Sequence, residues 1–444
     1  MKKILSFLCT ICLLMACSDH VETTSGDITL CQVVVSLSGI SDSKAGFEVQ
    51  LRNTQTNSIF IEQTNAEGAA TFSVTPGIYE ATATKKELVG HNVYYIYNGT
   101  LGQITALKDV STPVSMEMKK ARTSQVVIKE LYNGGCMKDD GVTFFQYDKS
   151  FILYNNSSEQ ASLSNLCIGF CAPANAHATN RNYTADGKLA YEEEGFIPCW
   201  NGVWYFPSTL TIEPYSQVVV NICGAIDNTQ TVSASVNYAN ADYYCMYDPE
   251  SGYSNTNYYP TPSAVIPSSH YLKAVRMALG NGWPFSMSSP AFVVFQIPEG
   301  TTPLEYCTNK DNYSYIGNEV STTNICAKVP NEWIVDAMEV FSSDYQEGSL
   351  KRLTADIDAG YVWLTNRHGQ TLYRNVDQQA TEALEENAGK LVYNYQLGVD
   401  NSTDPSGIDA EASLKNGAHI IYQDTNNSSN DFHERQRCSL RATP

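Results

Sequence analysis

Across residues 27–120, apolar side chains recur at every second position, in short runs broken by turn-forming residues. Ile28 and Leu30, then after a shift Val33, Val35 and Leu37, open the pattern, and Phe47-Glu48-Val49-Gln50-Leu51 and residues 58–63, 70–74 and 78–83 continue it. A period of two places alternate side chains on opposite faces of a strand, so each run buries one face and wets the other. Between the runs stand Asn53-Thr54-Gln55-Thr56-Asn57, Asn65-Ala66-Glu67-Gly68 and Thr75-Pro76-Gly77, which carry turn chemistry. The pattern predicts a small antiparallel β-sandwich.

The remainder continues in the same idiom. Lys119-Lys120-Ala121-Arg122 reads as a short basic link, and a larger unit is expected over 125–444. Its opening strand is Val126-Val127-Ile128-Lys129-Glu130-Leu131-Tyr132, ended by Asn133-Gly134-Gly135; further strands are expected over 150–157 and, at hairpin distance, 163–169. Helix is scarce: residues 271–279 offer two turns, and 378–387 an amphipathic segment that Gly389 is placed to stop. With 28 tyrosines, 28 glycines and 43% hydrophobic residues, the 444-residue chain has the material for more than one core. The expected fold is all-β, with long inserts near 172–200 and 240–285.

The N-terminus specifies an address. Lys2 and Lys3 precede an apolar run from Ile4 to Met15, which is too short to span a bilayer core of ~30 Å and reads as a signal peptide over 1–16. Its end, Leu13-Leu14-Met15-Ala16-Cys17, resembles the bacterial lipobox. The resemblance implies that Cys17 becomes the acylated first residue of the mature chain, with 17–26 as a polar tether, and that the protein sits at the outer membrane, facing the cell surface or the periplasm. The formal charge is -19, and loss of Lys2 and Lys3 takes it to -21, which disfavours nucleic acid and simple adhesion to anionic lipid. Attachment would rest on the acyl chains.

Of 13 cysteines, Cys9 and Cys12 leave with the signal and Cys17 is modified, so ten remain: Cys31, Cys136, Cys167, Cys171, Cys199, Cys223, Cys245, Cys307, Cys326 and Cys438. An even count in an exported chain permits disulfides, and buried free thiols are equally compatible with it. Cys167-x-x-x-Cys171 has no second pair to complete a zinc site.

Resemblances sharpen the domain reading. Thr64-Asn65-Ala66-Glu67-Gly68-Ala69-Ala70-Thr71-Phe72, followed by Pro76-Gly77-Ile78-Tyr79-Glu80-Ala81, resembles the carboxypeptidase-regulatory, transthyretin-like family, whose domains act as spacers or docking modules. There Gly68 would turn a hairpin. A strand ending in Glu, a strand ending Tyr154-Asn155-Asn156-Ser157 and a Leu-rich strand resemble lamin-tail-like domains, which implies an elaborated immunoglobulin-like sandwich; an acidic residue is usual where Ile152 or Leu153 stands here. The whole of 125–433 resembles a family of Bacteroidota lipoproteins of unknown function, through Glu130-Leu131-Tyr132-Asn133-Gly134-Gly135, Val329-Pro330-Asn331-Glu332-Trp333-Ile334-Val335-Asp336-Ala337, Lys351-Arg352-Leu353 with Asp358-Ala359-Gly360, and the run from Asp424 to Phe432. That resemblance implies company with TonB-dependent outer-membrane transporters. Arg374 is followed by Asn375 where the family more often has a second basic residue.

Signatures of catalysis are missing: the chain has no Gly-x-Ser-x-Gly, His-Glu-x-x-His, Walker loop or Gly-x-Gly-x-x-Gly. His177 and His433-Glu434 are the most suggestive histidines, and exposed loop positions are the plainer expectation for both. Asp139-Asp140, Asp356-x-Asp358 and Asp242 to Asp248 could offer oxygen ligands, but none has EF-hand spacing and turn capping explains them better. No catalytic residue, metal or cofactor is therefore assigned. The tyrosine-rich stretch from Asp242 to Pro260 and the cluster Trp200, Trp204, Tyr205 and Phe206 admit two readings: the rings bury a long insert, or they form a surface for a glycan, a peptide or a transporter partner. In the second reading the contacts are Trp200, Trp204, Tyr205, Tyr253, Tyr258 and Tyr259. The expected function is that of a non-catalytic ligand-binding or assembly lipoprotein; an envelope hydrolase of glycans or peptides and a purely structural scaffold are the alternatives.

Overall fold

A computed structural model of the chain describes residues 30–90 and 93–441. The expected signal segment 1–16, Cys17 with its expected tether, and Ile28 lie outside the described residues. What is described is all-β, with only short helical turns.

Eight strands build the first unit: β1 (Cys31–Ser38), β2 (Glu48–Asn53), β3 (Ile59–Gln63), β4 (Ala69–Val74), β5 (Gly77–Gly90), β6 (Val93–Ala106), β7 (Ser111–Glu117) and β8 (Lys119–Thr123). They form two sheets, ordered β4-β1-β7 and β3-β2-β5-β6-β8. The period-two pattern does what it predicts: Val33, Val35 and Leu37 of β1 pack against Leu51, Tyr79, Ala81 and Tyr97 of the opposing sheet. β1 pairs antiparallel with β4 but parallel with β7, because the chain returns to the free edge of β1 only after crossing the second sheet. Gly68 has φ +81° in a turn closed by its N–H on Asn65 O at 3.0 Å. A Cβ there would stand 2.6 Å from Lys44 Cβ. The strands flanking it belong to different sheets, so the turn is a corner between layers and not a hairpin. The basic stretch read as a link is itself strand β8, paired with β6, where the Lys120 ammonium lies 4.1 Å from the Tyr95 ring centroid and 3.1 Å from Asp42 Oδ2.

The second unit starts at β9 (Val126–Tyr132), every residue of which is buried. It lies in a twelve-stranded sheet running Val362–Leu364, Ile334–Ser342, Ala291–Gln296, Leu166–Phe170, Gly202–Tyr205, Tyr271–Arg276, Tyr244–Met246, Gln217–Asn221, Ser150–Asn155, β9, Thr371–Arg374, Phe432–Arg435. The sheet folds over on itself, bringing Ile334–Ser342 against β9 and Val362–Leu364 against Phe432–Arg435. Inside the fold, Ile128, Leu153, Ile168, Trp204, Val294, Val340 and Leu372 form the main core.

Three local expectations are corrected. Residues 271–279 form no helix: Tyr271–Arg276 is a strand, antiparallel to Gly202–Tyr205 and parallel to Tyr244–Met246, because a sheet position that buries Leu272 and Val275 overrides weak helix propensity. The segment 378–387 is helical only over Gln378–Glu382, then breaks into a 3-10 turn over Glu385–Asn387. The Leu-rich strand is two, Ala161–Leu163 and Leu166–Phe170, split at Asn165 with φ +51°; the first pairs with Leu210–Ile212 and the second with Ala291–Gln296 and Gly202–Tyr205. All ten described cysteines are buried free thiols.

Candidate functional site

The fold-over of the large sheet leaves a seam between β9 and Ile334–Ser342, and side chains close it where the backbone ladder does not. Asp336 Oδ2 accepts the Ile128 N–H at 2.6 Å, and Arg374 Nε donates to Ile128 O at 2.6 Å. Arg374 also pairs with Asp336, with Asp424 at 3.3 Å and with Asp431 at 3.7 Å, all buried. One guanidinium among three carboxylates leaves excess negative charge, and burial pushes the carboxyls of Asp336 and Asp431 up to about 7. Nearby, Glu339 holds Arg352 through Nε at 2.9 Å and Nη2 at 2.6 Å, with both side chains fully buried. Arg352 Nη1 donates to Pro173 O at 2.9 Å, which ties the 172–200 insert to the sandwich. Asp358 accepts the N–H groups of Glu339, Gly360 and Ser428 and the Ser428 hydroxyl. The motifs around Asp336, Lys351-Arg352, Asp358 and Asp424 to Phe432, dispersed in sequence, thus converge on one polar knot.

This knot shapes a cleft. It fixes the loop from Asp424 to Phe432, which faces the outer side of the β2-β5-β6 sheet; Asn98 of β6 donates to Thr425 O across the gap. Alternation turns Leu51, Tyr79 and Ala81 inward and Gln50, Arg52, Glu80 and Thr82 outward, so the sheet meets the loop with its polar side. Two connected lobes result, of about 600 and 820 Å³, which share Gln50, Thr82, Asn401, Ser402, Asn427, Ser429, Asn430 and Phe432. The larger lobe adds half-buried Tyr361 and Trp363. Tyr361 stacks on Phe341 with centroids 4.1 Å apart, and Trp363 lies edge-on to Tyr361 at 5.4 Å. Sequence reasoning did not find this cleft, because its walls come from segments more than 250 residues apart and its residue types are those of ordinary turns.

His433 sits at the smaller lobe, 2% exposed. Its Nδ1 is 2.7 Å from Asn375 Oδ1 and its Nε2 is 2.6 Å from the Tyr395 hydroxyl. Asn375 spends its amide N–H on Asn430 O at 2.7 Å, so its Oδ1 accepts from His433 Nδ1–H and Nε2 accepts from Tyr395. Burial, aided by the Arg435 cation, pushes the His433 imidazole down to about 3. Burial also raises the Tyr395 hydroxyl above its ordinary range, so the array holds a neutral imidazole and no activated nucleophile. Glu434 accepts the Thr365 N–H and hydroxyl, and Glu80 is paired with Arg52. His177 stacks on Tyr345 with centroids 3.7 Å apart.

The aromatic residues singled out in sequence divide. Trp204, Tyr253 and Tyr259 are buried together: Trp204 stacks on Tyr253 at 5.6 Å and lies 5.5 Å from Tyr259. Tyr253 donates to Asn201 O at 3.1 Å, and the Trp283 N–H donates to the Tyr259 hydroxyl at 3.1 Å. These rings pack the tyrosine-rich insert onto the sandwich and leave no ring face for a ligand in this arrangement. Trp200, Tyr205 and Tyr258 are half-buried; Trp200 Nε1 donates to Thr323 O at 2.8 Å, and Tyr258 packs edge-on to Tyr147 at 5.3 Å.

The acidic pairs are occupied by the chain itself. Asp140 Oδ1 accepts from Val142 and Thr143 N–H at 2.8 Å, Asp139 caps Ser233 at 2.9 Å, and Asp248 accepts from Lys273 Nζ at 3.2 Å. Among the described residues no group of three or more His, Cys, Asp or Glu is arranged to hold a metal ion.

Comparison with curated proteins returns no match. Among solved structures, a DUF4876 family protein from Bacteroides thetaiotaomicron VPI-5482, determined at 2.50 Å, matches with a TM-score of 0.52 and 19% identity over 90% of this chain and 94% of that one, which shows a shared fold. The Bacillus anthracis TIE protein is matched over 44% of this chain and 46% of that one at 10% identity, and its TM-score of 0.15 carries no argument. The family described as "Protein of unknown function (DUF4876)" matches residues 213–439, just over half of the chain, from the Gln217–Asn221 strand through the polar knot to the last strand. The chain therefore belongs to the DUF4876 family.

Proposed function

We propose that the protein is a non-catalytic binding protein that takes a neutral, hydroxyl-rich ligand, a glycan, in the cleft between its two β units. The carrying observation is the lining of the larger lobe, where Trp363 and Tyr361 stand beside the amides of Gln50, Asn401 and Asn430 and the hydroxyls of Thr82, Ser402 and Ser429. Sugar rings present apolar C–H faces that pack on aromatic rings, and hydroxyls that pair with amides; a concave site with a few convergent polar groups suits both. Of the carboxylates of Glu80, Asp400 and Glu434 that line this lobe, Glu434 is spent on Thr365 and Glu80 on Arg52.

In this reading the acyl chains of Cys17 hold the protein at the outer membrane and the small sandwich lifts the cleft from the lipid. The half-buried Trp200, Tyr205 and Tyr258 are left to contact a partner such as a TonB-dependent transporter. Probing a glycan array with the mature chain tests the ligand class: signal on neutral oligosaccharides, competed by the free sugar, supports it, and a blank array rejects it. Affinity purification of the lipidated protein that recovers no outer-membrane barrel rejects the transporter association. Labelling intact cells with a non-permeant reagent decides which face of the membrane carries the protein.

A further inference from the structure

One cavity has a charge opposite to that of the chain. About 540 Å³ in volume, it is bounded by Lys129, Lys415, Arg435, Arg437 and Arg441, with Glu411 as the acidic residue in its described lining. Five cations against one carboxylate stand in a protein of formal charge -19. The cavity is independent of the glycan reading, since none of these residues lines the cleft.

The site is built from the core outward. Lys129 lies at the bulge where the pairing of β9 with Ser150–Asn155 shifts register. That irregularity places its ammonium among three rings, 5.4 Å from the centroid of Tyr373, 5.6 Å from Tyr422 and 5.9 Å from Tyr154, while it donates to Gln217 Oε1 at 2.8 Å. Arg435, 2% exposed, lies over Tyr373 at 4.7 Å and donates from Nη2 to Glu411 Oε2 at 2.6 Å. Its Nε is buried with no hydrogen-bond partner. A buried guanidinium N–H without an acceptor is costly, so Glu411 alone leaves the Arg435 cation incompletely satisfied. Among the described residues Lys415 and Arg437 make no ion pair, so two further cations at this cavity remain available, while the Arg441 guanidinium packs on Gly369 beside Cys136.

We propose that this cavity is an oxyanion site, which takes the carboxylate, phosphate or sulfate group of a small ligand on the Arg437 guanidinium and the Lys415 ammonium, with Arg435 and Lys129 as buried charges behind them. The pocket supplies its own reporter. Burial holds the Lys129 ammonium down at about 8, with Glu411 and Glu130 acting to raise it and Arg435 to lower it. Three tyrosine rings and the Gln217 amide also surround the ammonium. An anion seated beside Lys129 favours its charged form, so binding near pH 8 draws a proton from solution.

Calorimetric titration of the mature chain at constant ionic strength tests this with sodium sulfate, inorganic phosphate, glucuronate and glucose as probes. The expected result is saturable binding of at least one anion at millimolar concentration, no binding of glucose, and a binding heat near pH 8 that changes with the protonation heat of the buffer. Sulfate or phosphate binding without glucuronate assigns an inorganic or phosphoryl group, and glucuronate binding assigns a carboxylate. The double variant Lys415→Gln, Arg437→Gln, made at an exposed and a half-buried position, should lose affinity by about tenfold or more with unchanged thermal unfolding, while Trp363→Ala leaves anion binding intact. Lys129→Gln should abolish the buffer dependence. Failure of every anion to bind, equal binding of glucose, or full affinity in the double variant overturns the proposal.

Discussion

Arg374 and Asp336 come from strands at distant places in the order of the large sheet, yet they meet as a buried ion pair and divide between them the two backbone groups of Ile128. Where the sheet folds over on itself, this pair replaces a ladder rung that the geometry does not allow. The loop facing the cleft is carried by the same guanidinium, through Asp424 and Asp431.

Arg374→Met therefore strands three buried carboxylates and should destabilise the protein by about 3–5 kcal/mol, read as a drop in urea midpoint. Arg352→Leu should cost a similar amount by exposing the Glu339 charge to an apolar interior. A double cycle with Glu339→Leu should return little of that loss, because Glu339 Oε2 also accepts the buried N–H groups of Arg352 and Leu353, which an apolar side chain leaves unpaired.

The buried carboxyls give stability a definite pH slope. Asp336 and Asp431 are raised to about 7 in the folded chain, above the ordinary value near ~4 of an unfolded aspartate. Between these limits the folded state binds more protons, so their contribution to stability is full below the unfolded value and is lost as pH rises toward 7. Urea midpoints between pH 5 and 8 should show this slope, and Asp431→Asn should flatten it.

His433 acts with the opposite sign. Its folded value of about 3 lies below the ordinary value near ~6.5, so the unfolded chain takes up a proton first and this residue's contribution is lost as pH falls from 6.5 toward 3. The imidazole resonances of His433 should stay those of a neutral ring down to pH 4, while an exposed histidine titrates normally. Tyr395→Phe and Asn375→Ala should each restore part of the ordinary titration by opening the array to water.

Trp204→Ala and Trp363→Ala should separate packing from binding. Trp204 is fully buried, so its truncation should cost about 3–5 kcal/mol through loss of apolar burial and a cavity. Trp363 is half-buried at the cleft, and its truncation should cost under about 1.5 kcal/mol while removing ligand affinity. Thermal unfolding and ligand titration on both variants check the division.

The fold was largely legible because its information is local. Val33, Val35, Leu37 and the Phe47 to Leu51 run show their inward faces by alternation alone, and β9 is bounded by Asn133-Gly134-Gly135 as its residues suggest. Tyr271–Arg276 was misread as helix because its strand state depends on partners at Gly202–Tyr205 and Tyr244–Met246 that only the tertiary fold brings alongside. The cleft was hidden for the same reason: Gln50 and Asn430 mean little apart, and nothing local marks them as neighbours. The tyrosine-rich insert drew notice for its composition, yet Tyr253 and Tyr259 serve the core. The signal that could have pointed to the knot was the scatter of single charged residues, Asp336, Arg352, Asp358 and Arg374, inside otherwise apolar or turn-like segments; such charges pay for burial only with partners.

The most direct test of the binding account is the affinity of the chain for an array-selected neutral oligosaccharide, measured calorimetrically beside Trp363→Ala and Tyr361→Ala. The account predicts saturable binding by the parent chain and a loss of about tenfold or more in each variant with the fold intact. Unchanged affinity in both variants, or no oligosaccharide bound by the parent chain, would contradict it.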